Sequence, residues 1–251
     1  MDKYLTEKKY WKKRAKDYDK LQWAKREDYI KSFLEVCDPQ KEDTVLDLGT
    51  GTGTIAHAIS PQVKDVIGVD ISEDMLSEAQ KHNRSTNIQF LRGDIRDLPF
   101  LDNSFTKVTA RMVFHHLIRG LKKAVKEVYR VLKPGGIFCL SEGVPPDRCV
   151  EKFYKEVFRL KEKRLTFFPE DLKEMIHIGG FKDVNFKEYT MKHCSIRNWL
   201  SNDTSISNDA KKEIYKMHLG LHEDGKKTYN MHITSKDCFI DMKFIIISGR
   251  K

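Results

Sequence analysis

The sequence predicts an α/β fold, a doubly wound and mostly parallel sheet with helices on both faces. Three observations predict it. Residues 43–48, 64–70, 87–91, 104–110 and 137–142 read as short strands, the second of them an apolar run ending in an acid, as for strands buried on both faces. Segments with apolar residues at helical spacing lie between them. The first run also passes through Gly49, Gly51 and Gly53 straight into a helix-like segment, residues 54–59.

Composition sets the scale. A chain of 251 residues suits one α/β domain with an appendage, or two small domains. Lys and Arg number 46 against 37 Asp and Glu, a net charge of +9. That balance fits nucleic acid, an acidic substrate or a lysine-rich surface. The densest basic groups, Lys8-Lys9 with Lys12-Lys13-Arg14 and Lys161 with Lys163-Arg164, fall in helical spacing and read as solvated faces. The five cysteines are widely spaced and form no C-x-x-C pair, which argues against a disulfide framework or a zinc ribbon. Residues 1–4 are charged, with no apolar leader, and no apolar run approaches the ~20 residues that span a bilayer. A cytoplasmic protein is expected.

Residues 4–36 read as an amphipathic helix, with Tyr10, Trp11, Ala15, Tyr18, Leu21 and Trp23 among lysines. The first strand follows, then the turn Asp47-Leu48-Gly49-Thr50-Gly51-Thr52-Gly53. Glycines there permit positive φ and close approach of a ligand to the main chain. The spacing is D-x-G-x-G-x-G, not the G-x-G-x-x-G of a pyrophosphate site. Its carboxylate suits a cationic or hydroxyl-rich ligand better than a diphosphate; a tight turn without a ligand is the plain alternative. The second strand ends in Asp70, about 20 residues on, where a carboxylate can accept from both hydroxyls of a ribose. Ile71 follows, and Ser72 is the expected N-cap of the next helix. Asp70 as a mere helix cap stays open at this point. The third strand leads into Arg92-Gly93-Asp94-Ile95-Arg96-Asp97-Leu98-Pro99-Phe100, the fourth ends at Arg111 before His115 and His116, and Leu132-Lys133-Pro134-Gly135-Gly136 introduces the fifth.

Taken together, these segments resemble the class I S-adenosylmethionine-dependent methyltransferases over residues 11–142, in particular the branch with the ubiquinone/menaquinone C-methyltransferases. The resemblance implies S-adenosylmethionine as cofactor, bound through Tyr18, Asp47, Gly49, Thr50, Gly51, Gly53, Asp70, Ile71, Asp94 and Ile95, with Asp94 and Ile95 beside the adenine. It implies that Trp11, Ala15, Tyr18 and Asp19, in a W-x-x-x-A-x-x-Y-D arrangement, belong to a lid over the cofactor. Arg111 departs from the Ser, Asn or Asp of many members, and could hold the cofactor's carboxylate, hold a substrate anion, or point away. A seven-stranded sheet with its last strand antiparallel is implied as well.

Beyond residue 142 the resemblance loosens. Residues 147–163 and 169–178 are helix-like, residues 181–189 read as strand six, and residues 237–247 as the last strand. Residues 192–236 intervene where a short hairpin is usual. This gives a lid (1–40), a core (41–191 with 237–251) and a cap insertion (192–236). A sixth strand that runs parallel to the first five and a last strand that returns antiparallel place the insertion at the carboxyl edge of the sheet, where α/β proteins bind ligands. Its Arg197, Trp199, Tyr229 and Asn230 are candidate substrate contacts. His115, His116, His222 and Tyr229 are candidate catalytic groups. His218 and His222 are expected on one helical face; with His232 and Cys238 they could ligate zinc, though no metal is the expectation. The expected activity is methyl transfer to a small-molecule acceptor, with an RNA methyltransferase or a non-catalytic cofactor-binding regulator as the alternatives.

Overall fold

The computed structural model describes residues 11, 12, 14, 15, 17–21 and 24–251. The parts of the N-terminal reading that fall on Tyr10, Gln22 and Trp23 lie outside the described residues. The elements are α1 (Glu27–Cys37), β1 (Thr44–Leu48), α2 (Thr54–Ile59), β2 (Asp65–Asp70), α3 (Glu73–His82), β3 (Ile88–Arg92), β4 (Phe105–Arg111), α4 (Leu121–Val131), β5 (Leu132–Val144), α5 (Glu151–Lys161), α6 (Pro169–Ile178), β6 (Lys182–Ser195), α7 (Ile196–Ser201), α8 (Asn208–Leu219), α9 (Glu223–Thr228), β7 (His232–Ile233) and β8 (Cys238–Arg250).

The strands form one sheet in the order β3-β2-β1-β4-β5-β8-β6, with β7 paired to β8. β1 to β5 are parallel, and β8 runs antiparallel to both β5 and β6. The expected antiparallel last strand is present; among the described residues the sheet has eight strands rather than seven, because the inserted segment adds the two residues of β7.

Alternate residues of the strands divide between two apolar layers, as the two-residue period of a strand requires. Leu46, Leu48, Val108 and Leu140 pack under α4 and α6, against Val125, Val128 and Leu172. Val45, Val66 and Ile246 pack on the other face, against Phe33 of α1 and Ile55 and Ile59 of α2. Serines cap three helices from their own sequence positions: Ser72 Oγ accepts from Met75 N, Ser195 Oγ from Asn198 N and Ser207 Oγ from Ala210 N.

Two expectations change. Residues 4–36 are not one helix: after a single turn at Tyr18–Lys20, Leu21 and Arg26 take extended conformations, and α1 begins only at Glu27. Leu21 and Ala24 are buried instead in a third apolar cluster with Val157 of α5, Trp199 of α7 and Ile214 of α8. β6 also runs six residues further than expected, to Ser195, and stays paired with β8 past a bulge between Met191 and Cys194. This extended ribbon carries α7, α8 and α9 out beyond the sheet. Ser195 Oγ donates to Asp237 Oδ2 at 2.5 Å and clamps the two ends of the insertion together. Among the described residues no helix is long and apolar enough to cross a membrane.

Candidate active site

Two adjoining recesses open at the carboxyl ends of β1, β4 and β5. The smaller, of about 300 Å³, is lined by Tyr18, Asp47, the 49–52 turn, Thr54, Ile55 and Arg111. Gly49, Gly51 and Gly53 take left-handed φ of 58°, 56° and 82°, the region glycine alone enters freely. A Cβ on Gly49 would stand 2.4 Å from Cγ2 of Val113, whereas one on Gly51 would meet nothing closer than the Gly49 carbonyl at 3.9 Å. The turn is thus packed from below at Gly49 and open above at Gly51.

Carboxylates at the strand tips hold this turn. Asp70 accepts from Gly51 N at 2.9 Å through Oδ2 and from Ser72 N at 2.8 Å through Oδ1; burial raises its pKa. Ser72, not Asp70, provides the side-chain cap of α3. Asp47 is buried and accepts from Thr50 Oγ1 at 2.6 Å and from Thr109 Oγ1 at 2.7 Å. Burial pushes its pKa up to about 6. Its register partner is Gly68, where a Cβ would stand 2.8 Å from Thr50 Oγ1, so the glycine makes room for that hydroxyl. Asp94 is paired with Arg96, whose Nε and Nη2 both reach its carboxylate at 2.8 Å. Ile95 is buried in the first apolar layer, and Ile71 is half-buried beside Asp70. Arg111 turns towards the N-terminal segment: Nη2 donates to the Ala24 carbonyl at 2.8 Å. Thr52 Oγ1 donates to Asp19 Oδ1 at 2.7 Å, so the N-terminal segment is tied both to the glycine turn and to the end of β4.

The larger recess, of about 840 Å³, shares Tyr18 with the first. Burial raises the Tyr18 phenol to about 12, so it is neutral at physiological pH. Trp11, Phe153, Tyr154, Phe158, Trp199 and Tyr229 supply aromatic walls, and His115, His116 and His218 are also at its lining. One end is ionic. Glu162 meets Arg14 Nη1 at 3.2 Å, Arg164 Nη1 at 3.5 Å and Lys161 Nζ at 3.6 Å, while Lys161 also reaches Asp203 at 2.6 Å. Burial alone would raise Glu162; Lys161, His116, Arg164 and Arg14 outweigh it and hold the group well below the usual carboxylate range.

His115 stands beside this cluster, in the short turn Phe114–His116 after β4. Its Nδ1 lies 2.6 Å from Glu142 Oε2. Glu142 is wholly buried, and its Oε1 accepts from the main-chain nitrogens of Val113, Phe114 and His115 at 3.1, 2.7 and 3.3 Å. Burial pushes Glu142 up to about 7. Burial and the positive charge of Arg164 keep His115 well below the usual imidazole range, and burial together with His115 does the same to His116.

Of the insertion's candidates, Trp199 and Tyr229 line the recess and three others do not. Arg197 is exposed and lies over the Tyr215 ring, 5.0 Å from its centroid. Asn230 is exposed and donates to Asp241 Oδ2. His222 is exposed and accepts from Gly225 N, capping α9. Nor do His218 and His222 share a helix, since Gly220 ends α8 between them. His218 is buried, with Nδ1 2.7 Å from the Ile214 carbonyl, and burial lowers its pKa to about 4. Lys161 and Arg164, read as part of a solvated face, point inwards; of residues 161–164 only Lys163 is exposed. Arg14, also read as part of a solvated face, is buried against Glu162, and Glu142, Glu162 and Asp203 have no counterpart among the sequence candidates. The one signal for Glu142 was its place at the end of an apolar strand, as for Asp47 and Asp70.

A family model described as a methyltransferase domain matches residues 46–140. The uncharacterized methyltransferase YcgJ of Bacillus subtilis strain 168 is 34% identical over 163 residues, 63% of this chain and 64% of that protein, so the match spans just under two thirds of that relative. The demethylmenaquinone methyltransferase of Staphylococcus carnosus is 30% identical over 203 residues, 69% of this chain and 84% of that one. The crystal structure of Bacillus subtilis YcgJ superposes with a TM-score of 0.78 at 25% identity, covering 90% of this chain and 99% of that one.

Proposed function

We propose that this chain, which belongs to the class I S-adenosylmethionine-dependent methyltransferases, carries the methyl group to a small-molecule acceptor held in the larger recess. The observation that carries the reading is the adjacency of the two recesses: Tyr18 lines both, so a cofactor in one and an acceptor in the other would lie on either side of one side chain. The name of the Staphylococcus carnosus relative, a methyltransferase of a small molecule, supports it.

The smaller recess suits the cofactor. Gly51 offers an open left-handed cradle, and Asp70 lies at its edge with its carboxylate already oriented by Gly51 N and Ser72 N. We assign cofactor contacts to Tyr18, the 49–53 turn, Asp70, Ile71 and Ile95, with Asp47 as the group that holds the turn's shape. Asp94 contributes by sharing its carboxylate with Arg96. When bound, S-adenosylmethionine supplies a methyl group on a sulfonium that leaves as a neutral thioether, so leaving-group assistance is not needed. The protein's task is then to align the acceptor and exclude water. Residues 1–40 serve as the lid and 192–236 as the cap in this reading, over a core of 41–191 with 237–251; the burial of Leu21 and Ala24 against α5, α7 and α8 supports that division. All five cysteines are free thiols, which suits a cytoplasmic setting.

The test is transfer of labelled methyl from S-adenosylmethionine into a metabolite extract and, separately, into RNA. Label in the small-molecule fraction is expected. Label confined to RNA would transfer the assignment to the alternative that the +9 charge favours.

A further inference from the structure

We propose that His115 is the base of this enzyme, that its Nε2 takes a proton from the acceptor, and that the acceptor atom is therefore one that carries a proton to lose, as in a hydroxyl. The inference rests on the small-molecule reading above and goes further, to the acceptor's chemical class.

The geometry around His115 is that of an oriented imidazole. A carboxylate 2.6 Å from Nδ1 holds the ring proton on that nitrogen and leaves the lone pair on Nε2. Glu142 cannot turn away, because three main-chain N–H groups grip its other oxygen. The imidazole cannot swing either, because the His116 ring lies 4.0 Å from it, centroid to centroid, and Trp11 meets His116 edge-on at 4.8 Å. Nε2 therefore faces the recess in one orientation. The nearest carboxylate oxygen there, Glu162 Oε1, is 4.0 Å away. That is too far for a direct hydrogen bond and leaves Nε2 available to a donor on the acceptor.

The same groups raise a competing reading. Ligand atoms of His115, His116 and Glu162 lie within 4.8 Å of one another, close enough to suggest a metal site. Charge decides against it. Arg14, Arg164 and Lys161 already stand 3.2, 3.5 and 3.6 Å from the one carboxylate of that set, and a divalent cation would add two further positive charges beside them. A proton adds one, and it arrives as another leaves. The acceptor O–H bond breaks with its proton going to Nε2, the oxygen's electron pair forms the bond to the methyl carbon, and the carbon–sulfur bond breaks with its pair staying on sulfur. The positive charge lost by the sulfonium reappears on the imidazole, flanked by Glu142 and Glu162. A weak base suffices, because the hydroxyl proton becomes strongly acidic only as the new bond to oxygen forms.

The groups facing His115 are Glu142 on β5, His116 on its own turn, Lys161, Glu162 and Arg164 at the end of α5, Arg14 and Tyr18 from the N-terminal segment, and Tyr154 on α5. Burial first, and then their positive members, keep the imidazole neutral and ready to accept.

Nitrogen-15 NMR of the imidazoles, assigned through bonds in the wild-type protein with S-adenosylhomocysteine added, tests the base without an acceptor. Nδ1 protonated and Nε2 bare is expected above about pH 8, where Glu142 is ionised; the opposite tautomer, or an imidazolium, in that range overturns the assignment. In the labelled-extract assay, His115→Asn should lower transfer about 100-fold or more with S-adenosylhomocysteine affinity unchanged. Glu142→Gln, a change in a positioning residue, should flip the tautomer and shift the pH profile. Wild-type labelling of small molecules that His115→Asn leaves intact sinks the base alone, whereas wild-type labelling of RNA alone sinks the small-molecule reading. Purification of a labelled product whose acceptor atom had no proton to lose, such as a quaternary ammonium or a sulfonium, removes the base assignment.

Discussion

The glycine corner and the larger recess adjoin, yet they are built in opposite ways. The corner is made of neighbours in sequence: a strand end, a turn of three left-handed glycines and one carboxylate at the tip of the next strand. Its chemistry lies mainly in the backbone, and its side chains serve to hold that backbone. The recess is made of strangers. Arg14, His115, Glu142, Glu162, Trp199 and Tyr229 come from the N-terminal segment, the ends of β4 and β5, the end of α5 and the insertion. Its chemistry lies in side chains, and the backbone serves only to bring them together. A substitution in the corner should therefore act through main-chain geometry, and one in the recess through lost packing or charge.

The largest expected effect tests the corner. Gly49→Ala must hold a left-handed φ and place a methyl 2.4 Å from Cγ2 of Val113. The conformation alone costs about 1–2 kcal/mol, and the clash adds roughly 1–3 more. A fall in melting temperature together with loss of S-adenosylmethionine binding is expected by calorimetry. Gly51→Ala bears the conformational cost without the clash, so it should be the milder variant in stability and still bind poorly. Equal melting temperatures for the two would mean the turn is not packed from below.

Trp199→Ala tests the recess. Removing a buried aromatic from the third apolar cluster should cost about 3 kcal/mol and reduce methyl transfer, with S-adenosylmethionine affinity in the folded protein nearly unchanged. A parallel loss of cofactor affinity would join the two regions into one site.

Their buried acids give a pH test. Asp47 and Glu142 ionise at about 6 and about 7 in the folded chain, above their usual 3.8 and 4.5. The folded state therefore binds more protons than the unfolded state between about pH 4 and 7, and stability must fall as pH rises through that window. For Asp47 the change is at most about 3 kcal/mol. The melting temperature of Asp47→Asn, measured from pH 4.5 to 7.5, should improve relative to wild type as pH rises. A constant offset would mean that Asp47 titrates normally.

Asp70→Ala should weaken S-adenosylmethionine binding about 30-fold, roughly 2 kcal/mol, through loss of charged hydrogen bonds. The side chain also holds Gly51 N and Ser72 N, so part of that loss comes from a looser turn. Unchanged affinity in a folded variant would remove Asp70 from the site.

The same contrast explains what was legible beforehand. The succession of strands along the chain, the turn at Gly49–Gly53 and the acid at Asp70 are local patterns, and each appears where the residues place it. The end of α5 is the counterexample. A run such as Lys161-Glu162-Lys163-Arg164 has the composition of a solvated face, and only the return of the chain at Asp203 and Arg14 shows that three of the four side chains are turned inwards. Helical spacing misled in the same way at His218 and His222, because Gly220 ends the helix between them. Long-range charge pairing leaves no period in a sequence.

The smallest expected effects concern Arg197 and Asn230, and they separate the insertion's two faces. Both residues are polar, both sit in the segment that covers the recess, and both are natural candidates for gripping an acceptor. The structure turns them outwards: Arg197 lies over Tyr215 in solvent, and Asn230 bonds Asp241 at the surface. An exposed pair of this kind contributes at most a few tenths of a kcal/mol. Arg197→Ala and Asn230→Ala should therefore change methyl transfer and melting temperature little, while Tyr229→Ala, which removes a ring buried beside Phe153, lowers both. A strong loss of transfer in Arg197→Ala at unchanged stability would show that the insertion meets the acceptor with its outer face, and that the recess between Tyr18 and Trp199 is not where the acceptor lies.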